Sequence, residues 1–305
     1  MMRSNPVDQP LVSVVLITYR RSYAIVERAL KSILSQTYTH LEIVVVDDNG
    51  DTDSQFSRDL TAGVDTIGDP RITIFAHETN RGACVARNTG MLRSRGDYIA
   101  FLDDDDQWLP EKISRQVEAF QSAPEVGLVY CDRLIQVGEK LIKRLPGRII
   151  DGYRYEDIIY KNFIGSTSYV MIRREVVDTC GMFNEQMKSA QDSEYWARIL
   201  KKYRIIGINE PLAIYYVHAG ERITSSYENK IAGMEMFNAL YHDDIVKRRK
   251  VHCRRTLILS PHYLKKYGFK KGMKQLWKAF VIYPNPFYVG KEVLLFLSKR
   301  LKYRL

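Results

Sequence analysis

Apolar residues fall in short, turn-bounded runs that alternate with stretches of helical spacing. Val12–Thr18 (V-S-V-V-L-I-T) is a β-branched run of strand length and reads as a buried strand. Ile25, Ala29, Leu30, Ile33 and Leu34 then recur at helix-face spacing. Leu41–Val46 predicts a second buried strand, which closes on Asp47-Asp48-Asn49-Gly50. Residues 51–60 fit either a helix or a loop. Arg71–Ala76 predicts a third strand, and Asn80-Arg81-Gly82 opens a helix to about Arg95. Tyr98–Leu102 predicts a fourth strand, closing on Asp103-Asp104-Asp105-Asp106. Beyond it the pattern predicts a helix after Pro110, a strand at Val126–Cys131 and a hairpin or extended excursion over 132–150. A strand at Tyr169–Ile172, a helix at Asp192–Lys202 and short strands at 205–208 and 212–217 follow. From about Ser225 the chain reads as helical.

Strands alternating with helices predict an α/β fold with a mostly parallel sheet covered on both faces. Both acidic clusters come directly after strands, at the carboxyl edge where open α/β sheets bind ligands.

The chain has 305 residues, 45% of them hydrophobic and 27% charged, enough to build a core and unlike disordered or disulfide-rich chains. Its net charge of +10 points at first to a polyanion partner. The charge is unevenly placed. Residues 241–305 carry 17 basic and 3 acidic residues, whereas residues 1–240 carry 29 basic and 33 acidic. A nucleic-acid-binding core is therefore not expected. The four cysteines (84, 131, 180 and 253) lie in separate segments without metal-type spacing, as expected in a reducing compartment. Residues 1–10 lack the apolar stretch of a signal peptide, and no apolar run approaches the roughly 20 residues that span a bilayer. A cytoplasmic protein is expected.

The candidate chemistry starts at Asp103–Asp106. Adjacent carboxylates ionise together only with a compensating cation or good hydration. This run lies between an apolar strand and Trp108-Leu109-Pro110, a context that favours a bound cation over a solvated acidic turn. Oxygen donors without nearby His or Cys favour Mg²⁺ or Mn²⁺, and Mg²⁺ commonly pairs one or two carboxylates with substrate phosphates. Asp47-Asp48-Asn49 alone would be an ordinary turn. In a parallel sheet it gains meaning, because two strand-end clusters can face one cleft.

Four blocks, V-S-V-V-L-I-T-Y-R-R, L-E-I-V-V-V-D-D-N-G, N-R-G-A-C-V-A-R-N-T-G and G-D-Y-I-A-F-L-D-D-D-D-Q-W-L-P-E-K-I, resemble the family 2 nucleotide-sugar glycosyltransferases of GT-A fold. S-A-Q-D-S-E-Y-W-A-R-I and Y-Y-V-H-A-G-E-R-I-T are similar to the family's acceptor-side acid and closing His loop. The resemblance covers roughly residues 11–227. It implies a nucleotide-sugar half over 1–110, an acceptor half over 111–235 and, outside the family pattern, a basic helical extension over 236–305.

Carried over by position, the resemblance implies that Thr18 and Tyr19 lie at the nucleotide, with Tyr19 packed on the base. Asp48 would meet the base edge, and Arg87 the nucleotide and donor sugar. Asp103 and Asp105 fit the family's D-x-D spacing: Asp105 would touch the metal, and Asp103 or Asp104 the ribose and the residues behind the metal. Asp106 blurs that register by one position. Asp192 matches the general base, with Glu194 as its rival, and His218 a residue near the metal or pyrophosphate. The implied reaction is inverting transfer from a nucleotide-sugar, UDP-linked by expectation, to a glycan or lipid-linked glycan.

The basic tail, with aromatics interleaved among its lysines, fits amphipathic helices on an anionic inner-membrane surface. The alternative is a helical coda packed on the catalytic domain. Two other readings of the whole chain are a nucleotidyltransferase of related fold and a non-catalytic membrane-associated protein. The first would need a Gly-rich phosphate loop, where this chain has Thr18-Tyr19-Arg20-Arg21.

Overall fold

A computed structural model describes residues 9–143, 149–217 and 226–302. The chain divides into two compact units. The first comprises Met1–Tyr155, Phe163–Glu185 and Tyr195–Ala219; the second comprises Glu156–Asn162, Gln186–Glu194 and Gly220–Leu305.

The first unit is built on one mixed sheet. Its strands are β1 (Val12–Thr18), β2 (Leu41–Asp47), β3 (Ile72–Ala76), β4 (Tyr98–Asp103), β5 (Gln107–Trp108), β6 (Val126–Val137), β7 (Lys140–Lys143), β8 (Val170–Arg173) and β9 (Arg204–Val217). Their order is β3-β2-β1-β4-β8-β6-β9-β5, with β7 hairpinned onto β6. The first four strands in that order are parallel to one another, and β4 pairs antiparallel with β8. Beyond β4 the directions are mixed, with β6 and β9 parallel.

Helices α1 (Tyr23–Leu34), α2 (Gln55–Ile67), α3 (Ala83–Arg93) and α4 (Lys112–Ser122) cover the sheet, followed by α5 (Tyr155–Tyr160), α6 (Glu175–Cys180) and α7 (Gln191–Leu200). Val12, Val14 and Leu16 share a core with α1, α2 and α4. Val44 and Val46 pack against Ala86 of α3 on the opposite face. Burial on both faces explains why these strands read as unbroken apolar runs. At Gly90 a Cβ would come within 2.3 Å of Val15, so the missing side chain is what lets α3 settle on β1.

Three local expectations are sharpened. Residues 51–60 enter a helix, which begins after Ser54, whose side chain accepts from the Ser57 N–H, and ends at Gly68 in the left-handed region. The two short strands expected over 205–217 are one strand, β9, whose register against β6 shifts around Asp132 and Pro211. The excursion after Cys131 is a hairpin of β6 and β7 turning at Gly138.

The second unit is helical: α8 (Tyr227–Leu240), α9 (His242–Val246), α10 (Arg249–Leu257), α11 (Ser260–Tyr267), α12 (Phe269–Ile282) and α13 (Pro286–Lys302). Cys253, Leu257, Ala279 and Val289 form its small core, with Leu276, Phe280 and Tyr288 against them. Gly272 brings α12 close to Leu264 of α11, where a Cβ would lie 2.8 Å from the backbone. No helix among the described residues is long and apolar enough to cross a membrane.

Candidate active site

The parallel register places the acids. Thr18 at the end of β1 pairs with Asp47 on one side, and Ile17 pairs with Asp103 on the other. The two clusters therefore flank the same strand end, the position at which this type of sheet takes ligands.

Asp103–Asp106 do not behave as four equal charges. Burial alone would push the Asp103 carboxyl up, but the Arg87 guanidinium at 2.7 Å and the hydroxyls of Ser166 (2.9 Å) and Thr167 (3.0 Å) hold it below its ordinary value. Asp104 is buried and pushed up to about 6, chiefly by desolvation and then by Asp105 and Asp103, against the opposing pull of Arg21 and Thr18. The Thr18 hydroxyl donates to Asp104 at 2.8 Å. Asp106 is fully enclosed, and desolvation followed by the Asp103 and Asp105 charges drives it well above the carboxylate range. Neither of its oxygens has a hydrogen bond of good geometry, although Ser168 and the Tyr216 backbone approach it. Environment thus separates neighbouring acids into ionised and proton-holding members.

Two arginines complete this edge. Arg21 reaches Asp104 at 3.1 Å and Asp105 at 3.3 Å. Arg28 donates to the Asp105 carbonyl at 2.7 Å and stacks on Tyr216, 3.6 Å from the ring centre. Trp108 and Lys112 support the cluster from the core: the indole N–H bonds the Ser168 carbonyl, and the ammonium lies 3.9 Å from the Trp108 ring centre.

Asp48 is buried and engaged. One oxygen accepts from His77 (2.7 Å) and the Arg81 N–H (2.8 Å), and the other from Asn80 (2.9 Å) and the Gly82 N–H (2.8 Å). These contacts fix the loop that leads into α3. Gly50 faces the same loop with φ +73°, and a Cβ there would meet the Asn80 nitrogen at 2.3 Å. Tyr19 is exposed beside Arg20, which has positive φ and donates its N–H to Asn49.

The donor set suits a hard cation that keeps other oxygen ligands, since Asp103 and Asp105 offer carboxylate oxygens. Among the described residues no group of three His, Cys, Asp or Glu side chains forms a ready cage. His218 lies outside the described residues.

In the second unit, Asp192 is half-buried near the start of α7, just after Ala190 with φ 56°. Its carboxylate accepts from the Asn162 amide at 2.8 Å and the Ser193 N–H at 2.7 Å. Glu194 is buried and accepts from the Tyr241 hydroxyl at 3.3 Å.

Sequence reading identified the acids and missed their partners. Arg21, Arg28, His77, Asn162, Ser166 and Thr167 lie far along the chain from the carboxylates they bind and follow no periodic pattern. Adjacent hydroxyls in S-T-S were the one available hint.

The model of the family described as "Glycosyl transferase family 2" matches residues 13–181. The chain is 35% identical over 210 residues to a putative teichuronic acid biosynthesis glycosyltransferase, TuaG, of Bacillus subtilis, covering 68% of this chain and 79% of that one. It is 28% identical over 246 residues to the putative colanic acid biosynthesis glycosyl transferase WcaA of Escherichia coli, covering 80% and 85%. It is also 28% identical, over 66% of this chain and 74% of that one, to WfgD of E. coli, a UDP-Glc:α-D-GlcNAc-diphosphoundecaprenol β-1,3-glucosyltransferase. Among solved structures it superposes on S. aureus TarS 1–349 with TM-score 0.65 at 17% identity, over 89% of this chain and 79% of that one. A structure of that fragment with UDP-GlcNAc gives 0.62 at 18% identity, over 89% and 81%. A Pyrobaculum calidifontis mannosyltransferase with GDP-Man and Mn²⁺ gives 0.57 at 19% identity, over 98% and 84%.

Proposed function

The chain belongs to the family 2 glycosyltransferases, and from that premise we propose that it transfers a sugar from a nucleotide-sugar to a glycan or lipid-linked glycan in cell-surface polysaccharide assembly. The observation that carries this reading is the pairing of Asp47–Asp48 and Asp103–Asp106 across the end of β1, with Arg87 and Arg21 as their counter-charges. A UDP-linked donor is favoured, since WfgD uses UDP-Glc and a chain of the same fold was crystallised with UDP-GlcNAc.

Each residue has a role in this reading. Tyr19 lies flat on the base. Asp48 fixes the 77–82 loop and reaches the base edge by exchanging one of its four donors. Arg87 holds Asp103 ionised at the diphosphate. Asp103 and Asp105, with His218 expected beside them, would hold Mg²⁺ or Mn²⁺. A divalent cation there supplies Lewis-acid neutralisation of the leaving diphosphate. Arg21 then gives up its contacts to Asp104 and Asp105 and turns to the incoming phosphates.

Asp192 takes the proton of the acceptor hydroxyl as its oxygen bonds the anomeric carbon and the diphosphate departs, which inverts that centre. Asn162 and Ser193 hold the carboxylate in place. Asp192 is preferred to Glu194 because it is half-exposed, whereas Glu194 is enclosed and bonded to Tyr241. The basic C-terminal helices bring the enzyme to the anionic face of the inner membrane, where a lipid-linked acceptor resides.

The test is a panel of UDP-, GDP- and other nucleotide-sugars, scored for nucleotide release with Mn²⁺ or Mg²⁺ and with EDTA. Release from one donor class, stopped by EDTA and restored by metal, is the expected result. No release from any donor, with or without a lipid-linked acceptor, would overturn the reading.

A further inference from the structure

Large apolar side chains exposed on the first unit are scattered, for example Phe56, Leu92 and Tyr153. On the second unit they form a line. Along α12, Phe269, Met273, Trp277 and Val281 are all exposed, Phe269 to 71% and Trp277 to 65%. Residues four apart lie on one helix face, so these four make a continuous apolar stripe about three turns long. Lys270, Lys274 and Lys278, one residue further along at each step, make a parallel exposed row beside it. The flank on the other side of the stripe from the lysines, with Gly272, Leu276 and Ala279, is already used by the unit's own packing. The stripe therefore has no partner within the unit's core. Just past the helix, Phe287 is 89% exposed.

The charge around the stripe selects its occupant. Between residues 245 and 291 there are 13 basic residues and no acidic one; Glu235 of α8, which lines the same hollow as Trp277, Lys278 and Val281, is the one carboxylate beside the stripe among the described residues lining it. A second copy of this surface would meet like charge. A bilayer with anionic headgroups offers opposite charge at its surface and hydrocarbon just below, matching a lysine row beside an apolar row.

We infer that α12 is the membrane-seated element, lying in the plane of an anionic bilayer with Phe269, Met273, Trp277 and Val281 entering the acyl boundary and Lys270, Lys274 and Lys278 at the phosphates. This rests on the reading above that the basic helices meet a membrane, and narrows it to one helix face. Phe287 extends the seat beyond the helix.

The chain carries a built-in reporter. Of its tryptophans, Trp108 and Trp196 are 1% and 0% exposed, so a solvent-dependent change in emission comes from Trp277. The experiment adds vesicles of phosphatidylcholine with phosphatidylglycerol, or of phosphatidylcholine alone, to the full chain, and reads pelleting and tryptophan emission. Expected are pelleting and a blue shift with the anionic vesicles, quenching by lipids brominated high on the acyl chain, and loss of the shift in Trp277→Phe with binding retained. Lys270→Ala, Lys274→Ala and Lys278→Ala together should weaken binding about a hundredfold, near fivefold for each lysine. These residues are exposed, so circular dichroism should match wild type. Pelleting without a blue shift would overturn the α12 assignment and leave the membrane reading standing. Absence of pelleting would remove both. Self-association without lipid, abolished by Trp277→Ala, would assign the stripe to a second copy and likewise overturn the inference.

Discussion

The two units handle charge in opposite ways. At the carboxyl edge of the sheet each carboxylate is assigned a state by its surroundings: Asp103 is held low by Arg87 and two hydroxyls, Asp104 is pushed up by burial against the pull of Arg21 and Thr18, and Asp106 is pushed up by burial and the neighbouring acids. In the C-terminal helices the lysines are mostly in solvent, and charge is a property of a surface. A buried charge must be matched by a specific partner, whereas an exposed one acts through its field. The net +10 of the whole chain averages these two designs and describes neither.

The largest effect expected from breaking this contrast is chemical. Asp192→Asn keeps the shape and the Asn162 contact but removes the proton acceptor. Transfer should fall about 10²–10⁴-fold, the usual contribution of a positioned base, while nucleotide affinity, read by calorimetric titration, stays within a few-fold. Glu194→Gln should cost stability and little rate. The reverse pattern would exchange their roles.

Next comes a structural effect in the first unit. Asp103→Ala leaves the buried Arg87 guanidinium and the Ser166 and Thr167 hydroxyls without their acceptor. A loss of about 3 kcal/mol in urea denaturation is expected, at the low end for a broken buried pair, together with loss of donor binding. A change below the scatter of surface substitutions would mean that Arg87 finds another partner.

The sequence shows the fold's frame clearly, and the reason is physical. β1, β2 and β4 are enclosed on both faces, so their boundaries coincide with apolar runs to within a residue. α2 is ambiguous because only Ser57, Leu60 and Val64 of its length are buried. β9 reads as two strands because Glu210 and Pro211 interrupt the apolar pattern, while the backbone passes through as an irregularity in one ladder. At the site the acids stand out because charge at a strand end is unusual. Arg21 and Ser166 do not, because their contacts to the acids span 83 and 63 residues. Only the closed chain brings such partners together.

Asp104 gives the contrast a pH signature. Its carboxyl is pushed from 3.8 up to about 6 in the folded chain. Between those values the folded state holds a proton that the unfolded state has lost, so this group's contribution to stability falls as pH rises through that window. Asp103, held low, contributes in the opposite sense at more acidic pH. Asp104→Asn should therefore raise stability at pH 7 by roughly 2 kcal/mol when measured in EDTA, and flatten the profile between pH 4 and about 6. An unchanged profile would show that Arg21 already compensates the ionised carboxylate in full.

The smallest expected effect concerns the place where the second unit departs from its own pattern. Arg255 in α10 is buried, and among the described residues its contacts are the Asn238 side chain at 2.8 Å and the Phe237 ring at 4.0 Å, with no carboxylate. Its Nη2 has no hydrogen-bond partner. Desolvation first, and the neighbouring Arg254 second, push it down to about 9. The first unit matches its buried Arg87 with an acid; here the match is one amide and one aromatic face. A buried ion without an opposite charge costs more than an apolar side chain of the same length. Arg255→Met keeps the packing on Phe237 and removes the charge, so thermal denaturation should show a gain of about 1 kcal/mol, the opposite sign to Asp103→Ala. A loss of similar size would mean that Asn238 and Phe237 together are worth more than the desolvation they offset. The rule separating the two units would then be how well a buried charge is surrounded, not whether an acid stands opposite it.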